Sequence, residues 1–254
     1  MSEPRYIFVG GLHGSGTSLV HRCLRAHPAV SGFKATGVPE DEGQHLQALL
    51  PTARSLGGPG RFGRRSGAHL TEDSALATPA TREALLSAWG SHWDDVSPLR
   101  VEKSPPNLLR FRLLQALFPG AACVAVMRHP LAVAASTRAK RLRGRLQSHE
   151  TLVAHWIHCH RVFAEDRERI QDIHVLRYEE LVSRPEEVLR ALFAHLGLDP
   201  IPLPEPIDPG RDARHAARWK ARHRPSFLGR KWVEHEAAAA SWGYSIREFR
   251  AVLR

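Results

Sequence analysis

The stretch Tyr6 to Ser18, YIFVGGLHGSGTS, is a short apolar run that breaks into glycines and hydroxyls. Tyr6, Ile7, Phe8 and Val9 have the length and β-propensity of a buried strand, while Leu19, Val20 and Leu24 recur at helical spacing just past the loop. Gly10, Gly11, Gly14 and Gly16 permit a tight turn and leave no Cβ between backbone N–H groups and an anion, and the following helix aims the positive end of its dipole at the same spot. Gly11 to Gly16 has Walker A spacing, but Thr17 and Ser18 follow where that motif carries its lysine. The lysine reaches the β- and γ-phosphates, so its absence argues against an ordinary ATP or GTP site. A tight turn with no ligand is the plain structural alternative. The strand before, the helix after and the three hydroxyls of Ser15, Thr17 and Ser18 favour an anion.

A second anionic constellation lies further on. Ala121 to Met127 (AACVAVM) reads as another buried strand, ending in Arg128-His129-Pro130 and opening a helix that carries Ser136. Arg128 offers a planar fork of donors, and Ser136, about two helical turns on, adds a hydroxyl if the helix curls back. Between the two cradles lies Val101-Glu102-Lys103-Ser104-Pro105, with Lys103 at a strand end and Pro105 placed to start a helix through Leu108, Phe111, Leu114 and Leu117. Read without a ligand, Lys103 and Arg128 are solvated surface charges.

These ordered motifs resemble those of the sulfotransferases that use 3′-phosphoadenosine 5′-phosphosulfate (PAPS), especially the branch of tyrosylprotein sulfotransferases and their bacterial relatives. The resemblance covers roughly residues 5 to 197 and includes Leu176-Arg177-Tyr178-Glu179-Glu180-Leu181 with Pro185-Glu186-Glu187. It implies that Gly11, His13, Gly14, Ser15, Gly16, Thr17 and Ser18 hold the 5′-phosphosulfate, that Arg128 and Ser136 hold the 3′-phosphate, that Tyr178 also belongs to the cofactor site, and that Lys103 stands near the leaving group. Many relatives place arginine or lysine where this chain has Gly14; a donor from His13 is the expected partial substitute. A late basic loop closes over the cofactor in related enzymes, which makes Arg230 and Lys231 candidates, with Trp219 or Trp232 for stacking.

Sulfuryl transfer also needs a base for the acceptor proton. The acidic turn Pro39-Glu40-Asp41-Glu42-Gly43-Gln44-His45 follows the loop where tyrosylprotein-type relatives position a glutamate, so Glu42 is the first choice, with Glu40 and His45 as alternatives. The same residues suit the N-terminus of a helix running through Leu46, Leu49 and Leu50.

The 254 residues suffice for one α/β domain, a P-loop-like parallel sheet flanked by helices on both faces, with a flexible Arg/Gly-rich insertion near 54–69 and a basic segment 200–254. Strands are expected near 6–9, 99–102, 122–127 and 172–177, and helices near 17–26, 81–93, 107–117, 131–141, 150–169 and 185–196. Cys23, Cys123 and Cys159 are too few and too widely spaced for a zinc set, so no metal is expected, and their number fits buried thiols in a reducing compartment. With no secretory h-region and no membrane-length apolar run, a cytoplasmic bacterial enzyme with no membrane partner is expected. The expected acceptor is a hydroxyl of a small molecule, carbohydrate or secondary metabolite, a peptide being the lesser variant; PAPS is the donor and 3′,5′-bisphosphoadenosine (PAP) the product. The oligomeric state is open. Two other readings stand beside this one. A net charge of +10 with the cluster Arg138, Lys140, Arg141, Arg143 and Arg145 suits a nucleic-acid binder, though no reader motif for specific nucleic acid occurs. A small-molecule kinase with a degenerate loop would need a magnesium carboxylate such as Glu102.

Overall fold

The computed structural model describes residues 3–94, 96–140, 147–204, 206–208, 210, 213–215, 217 and 230–251, apart from the side chains of Lys140, Arg230 and Lys231. A five-stranded parallel sheet in the order β2-β3-β1-β4-β5 forms its centre, built from β1 (Arg5–Gly11), β2 (Val30–Gly32), β3 (Leu99–Lys103), β4 (Ala122–Met127) and β5 (Ile173–Arg177). β1 alternates between two cores. Tyr6 and Phe8 face an aromatic layer with Trp89, Trp93 and Phe118, whereas Ile7 and Val9 face Val20, Leu24, Leu181 and Phe193. Burial on both faces accounts for the unbroken apolar runs of β1 and β4.

Helices cover both faces: α1 (Thr17–Arg25), α2 (Pro79–Gly90), α3 (Phe111–Leu117), α4 (Pro130–Lys140), α5 (His149–Arg167), α6 (Tyr178–Ser183) and α7 (Pro185–His195). After these come α8 (Arg230–Ala240) and a small antiparallel pair, β6 (Tyr244–Ser245) and β7 (Arg250–Ala251). From β1 the chain moves outward to β2 and β3 on one side and then to β4 and β5 on the other, so a topological switch point lies beside β1. Ligands of such sheets collect at the carboxyl ends of the strands around that point. The glycine loop, Arg128 and Tyr178 follow those ends, and Lys103 is the last residue of β3.

Two expected helices are absent as drawn from sequence. The 107–117 helix is a 3₁₀ turn at Pro105–Leu109, then α3, interrupted at Arg110 with φ −139°. The Leu109 carbonyl is taken by the Leu70 N–H and not by a following turn of helix. The helix expected to run from Pro39 through Leu50 is replaced by two short 3₁₀ turns, Pro39–Asp41 and Gly43–His45, with Glu40 and Asp41 left-handed at φ 56° and 51°. The stretch 54–69, expected as a flexible excursion, is a series of turns anchored by the fully buried Phe62, whose ring packs on His155. The three cysteines are buried thiols, none in a disulfide. Among the described residues no helix is long and apolar enough to cross a membrane, and no cluster of His, Cys, Asp or Glu is suited to a metal ion.

Candidate active site

Two cavities flank the glycine loop. The first, of about 540 Å³, is lined by Gly14, Gly16, Thr17, Ser18, Arg22, Arg128, Ser136 and Tyr178, and closed by Ile207, Asp208 and Arg214. The second, of about 640 Å³, is lined by His13, Glu42, Gln44 and His45 together with Pro39, Ala53, Pro59, Pro105 and Thr137. They share four residues, Gly14, Thr17, Ser18 and Glu40, so each opens onto the same edge of the loop.

The loop has the properties of an anion cradle. Gly16 caps α1 at φ 109° with no side-chain cap, and the N–H groups of Gly16, Thr17 and Ser18 have no acceptor among the described residues. Ser15 Oγ is likewise buried inside the loop without a partner. Gly14 has φ 88°, and a Cβ there would come within 2.9 Å of Ser136, while one on Gly16 would come within 2.5 Å of the Tyr178 ring. The close approach of α4 and Tyr178 leaves room only for glycine at both positions. Arg128, 2% exposed, donates Nη1 to the Gly14 carbonyl at 2.7 Å and lies over the Tyr178 ring at 4.1 Å from its centroid. The loop, α4 and α6 thus pack around one guanidinium. These orphaned donors and buried cation fit the phosphate groups of a bisphosphorylated nucleotide.

The acidic turn is held by three consecutive residues at the end of β3. Glu102 Oε1 accepts from the Gly43 N–H (3.0 Å) and the Ser104 hydroxyl (2.6 Å), and its Oε2 accepts from the Asn107 amide (2.6 Å). Ser104 Oγ accepts from the Gln44 N–H at 2.8 Å. Lys103, with no exposed surface, donates to the Glu40 carbonyl (2.8 Å), Glu42 Oε1 (3.1 Å) and Ser18 Oγ (3.3 Å). It lines neither cavity and sits beneath the place where they meet. Burial pushes the Glu102 carboxyl up to about 7 against the pull of its donors. Glu102 is therefore an internal strut, not the open carboxylate that a magnesium-dependent kinase requires. Glu102→Gln should cost about 1–3 kcal/mol of stability, since its amide would have to face the Gly43 or the Asn107 N–H donor; urea unfolding measures it.

Of the three candidate bases, Glu42 is 6% exposed, accepts from the Gln44 amide as well as from Lys103, and has His45 Nε2 at 3.7 Å. Glu40 is exposed, lies at the junction of the cavities and accepts from Ser18 Oγ at 2.9 Å. His13 is half-buried, lines the second cavity and packs on Phe62 at 5.7 Å. The side chains of Arg230 and Lys231, together with Trp219, Arg141, Arg143 and Arg145, lie outside the described residues. Sequence reading gave no role to Gln44, Ser104, Asn107 and Arg22 and offered Glu102 only as a magnesium carboxylate; the stretch EKSP of Glu102 to Pro105 was the one signal that pointed toward two of them, Glu102 and Ser104.

Comparison with known proteins identifies the family and the fold. The chain is 32% identical over 108 residues to the omega-hydroxy-beta-dihydromenaquinone-9 sulfotransferase Stf3 of Mycobacterium bovis, a match spanning 38% of this chain and 28% of the relative. The fold superposes on the sulfotransferase domain of the Synechococcus PCC 7002 olefin synthase with TM-score 0.57 and 19% identity, covering 96% of each chain. It also superposes on sulfotransferase STF9 of Mycobacterium avium with TM-score 0.55 and 16% identity, over 95% of this chain and 76% of that one. With the model of the sulfotransferase family matching residues 4 to 202, the chain belongs to that family.

Proposed function

We propose that this sulfotransferase moves the sulfuryl group of PAPS to a hydroxyl of a small-molecule acceptor, with the donor in the first cavity and the acceptor in the second. The observation that carries this reading is the shared edge: two cavities that open on Gly14, Thr17, Ser18 and Glu40 bring a bound donor and a bound acceptor face to face. Bound PAPS supplies a phosphosulfate whose S–O bond to the 5′-phosphate breaks as a new S–O bond forms to the acceptor oxygen, the electron pair leaving on PAP.

The chain's own residues have three tasks. The N–H groups of Gly16, Thr17 and Ser18 and the dipole of α1 hold the 5′-phosphate, and Arg128 with Ser136 holds the 3′-phosphate. Glu42 takes the proton of the acceptor hydroxyl; Lys103 and Gln44 fix its two oxygens. Lys103, also bonded to Ser18, places a positive charge beneath the loop edge where negative charge develops on the leaving oxygen. The mycobacterial relative is named for an omega-hydroxylated dihydromenaquinone, which favours a small-molecule alcohol over a peptide here.

Calorimetric titration tests the donor assignment. PAP should bind one to one, ATP with magnesium should not match it, and Arg128→Ala should weaken PAP by about 10- to 100-fold, the worth of a buried charge-assisted pair. Equal binding of PAP by the variant would remove Arg128 from the site; binding of ATP alone would overturn the donor.

A further inference from the structure

The second cavity is polarised along its length. At its inner end stand Glu42 and Glu40. At its mouth stands the exposed Arg54, which lines the cavity, next to Gly57, which also lines it. A Cβ on Gly57 would lie 3.5 Å from Arg61 Cβ and 3.8 Å from Arg65 Nε, so two more exposed arginines flank the same turn. No Asp or Glu occurs between Glu42 and Glu72. None of Arg54, Arg61 and Arg65 makes an ion pair or side-chain hydrogen bond among the described residues. Phe62, fully buried between His13 and His155, fixes this turn relative to the glycine loop, so the rim is tied to the site.

Between the two ends the wall offers Pro39, Ala53, Pro59 and Pro105. Two of its polar members are engaged within the protein, Gln44 giving its amide N–H to Glu42 and accepting the Ala53 N–H (2.7 Å) and the Thr137 hydroxyl donating to the His13 carbonyl (3.2 Å), while the rings of His13 and His45 also line the wall. A carbohydrate placed there would bury hydroxyls with few partners, at a cost of about 1–3 kcal/mol for each left unpaired. An apolar body leaves nothing unpaired.

We infer that the acceptor is an anionic amphiphile, an apolar chain with a hydroxyl at one end and a carboxylate or phosphate at the other, bound hydroxyl inward at Glu42 and anion outward on the rim of Arg54, Arg61 and Arg65. This rests on assigning the second cavity to the acceptor. Glu42 is offset by Lys103, so Glu40 is the carboxylate that repels an anion at the inner end while the three arginines attract it at the rim, and this difference sets the direction of binding as well as its strength. Arginine suits the task because its fork pairs with either anion in a bidentate fashion.

The experiment compares four alcohols of equal chain length on the full chain with PAPS: an ω-hydroxy fatty acid, its methyl ester, the corresponding diol and the ω-hydroxyalkyl phosphate. The acid, the phosphate or both should exceed ester and diol in kcat/KM by about tenfold or more at low ionic strength, and which anion leads identifies the group that the rim reads. The advantage should shrink with added salt. It should vanish in the triple variant Arg54→Gln/Arg61→Gln/Arg65→Gln, which keeps PAP affinity and the turnover of the ester. Equal rates for all four, an anion preference that survives in the triple variant, or turnover of a monosaccharide alone would overturn the inference. Calorimetric binding of acid and ester without PAPS gives a second readout that does not need turnover. If PAP fails to bind while the acid still binds in preference to the ester, the donor assignment falls and the rim stands; if acid and ester bind alike, the rim falls whatever the fate of the donor.

Discussion

Glu42→Gln should slow sulfuryl transfer by about 10²- to 10⁴-fold while leaving PAP affinity unchanged. The substitution keeps the shape of the side chain and an oxygen for Lys103; it removes the charge and the ability to take a proton, and turns an N–H toward the Gln44 amide. The geometry makes this residue the strongest of the three candidates. It is buried in the second cavity with both oxygens held, whereas Glu40 is exposed and already bonded to Ser18. Glu40→Gln should therefore have the smaller effect, and His45→Ala should act through its neighbour at 3.7 Å. Single-turnover rates with saturating PAPS separate the cases. Normal turnover of Glu42→Gln combined with loss in Glu40→Gln would move the base to the junction of the cavities and leave the reaction class standing. A fall in PAP affinity with no fall in rate would mean that Glu42 merely shapes the loop through Lys103.

The base and its supports differ in how visible they are in the sequence, and the reason is physical. The glycine loop, β1, β4 and Arg128 are local signals: an apolar run, then residues whose backbone or charge serves one spot, all within a dozen positions. The parallel sheet followed from such runs because both of its faces are covered. β2 escaped notice since Val30–Gly32 is three residues at a sheet edge, too short for any periodicity. The support of the acidic turn escaped for the opposite reason. Its bonds join Gly43 and Gln44 to Glu102 and Ser104, about sixty positions away in the chain, and no local pattern announces a pairing of that range. Lys103 reads from sequence as a cation at a strand end, which it is; its complete burial follows only from the folding of residues 40–44 over it. Phe62 shows the same limit in reverse, a single aromatic in an Arg/Gly-rich stretch whose composition alone suggests an open excursion.

The protein should lose about 3–4 kcal/mol of stability between about pH 7 and pH 5, most of what a marginal domain possesses. Three histidines are buried without charge: His21 and His155, each pushed down to about 3, and His160, pushed down to about 4, in every case mainly by burial. The unfolded chain binds protons on these rings from about pH 6.5 downward while the folded chain refuses them until about 4 or 3, so their contribution is intact above 6.5 and lost as the pH falls. By pH 5 that amounts to about 2 kcal/mol each. Glu102 works in the other direction. Raised to about 7, it binds its proton in the folded state first and returns about 2 kcal/mol over the same interval. Urea unfolding at about pH 8, 7, 6 and 5 measures the balance, and a flat profile would show that these rings are not held neutral. His155 supplies the sharper test because its Nε2 accepts the Gly63 N–H at 3.1 Å, a bond that a protonated ring cannot make. His155→Gln, which retains an acceptor and has no proton to gain, should flatten the profile by about a third of the histidine contribution. Since Gly63 belongs to the turn that carries Arg61 and Arg65, protonation of His155 should also loosen the rim of the second cavity before the sheet melts, and hydrogen exchange at residues 61–65 should rise at a higher pH than exchange in β1 and β4.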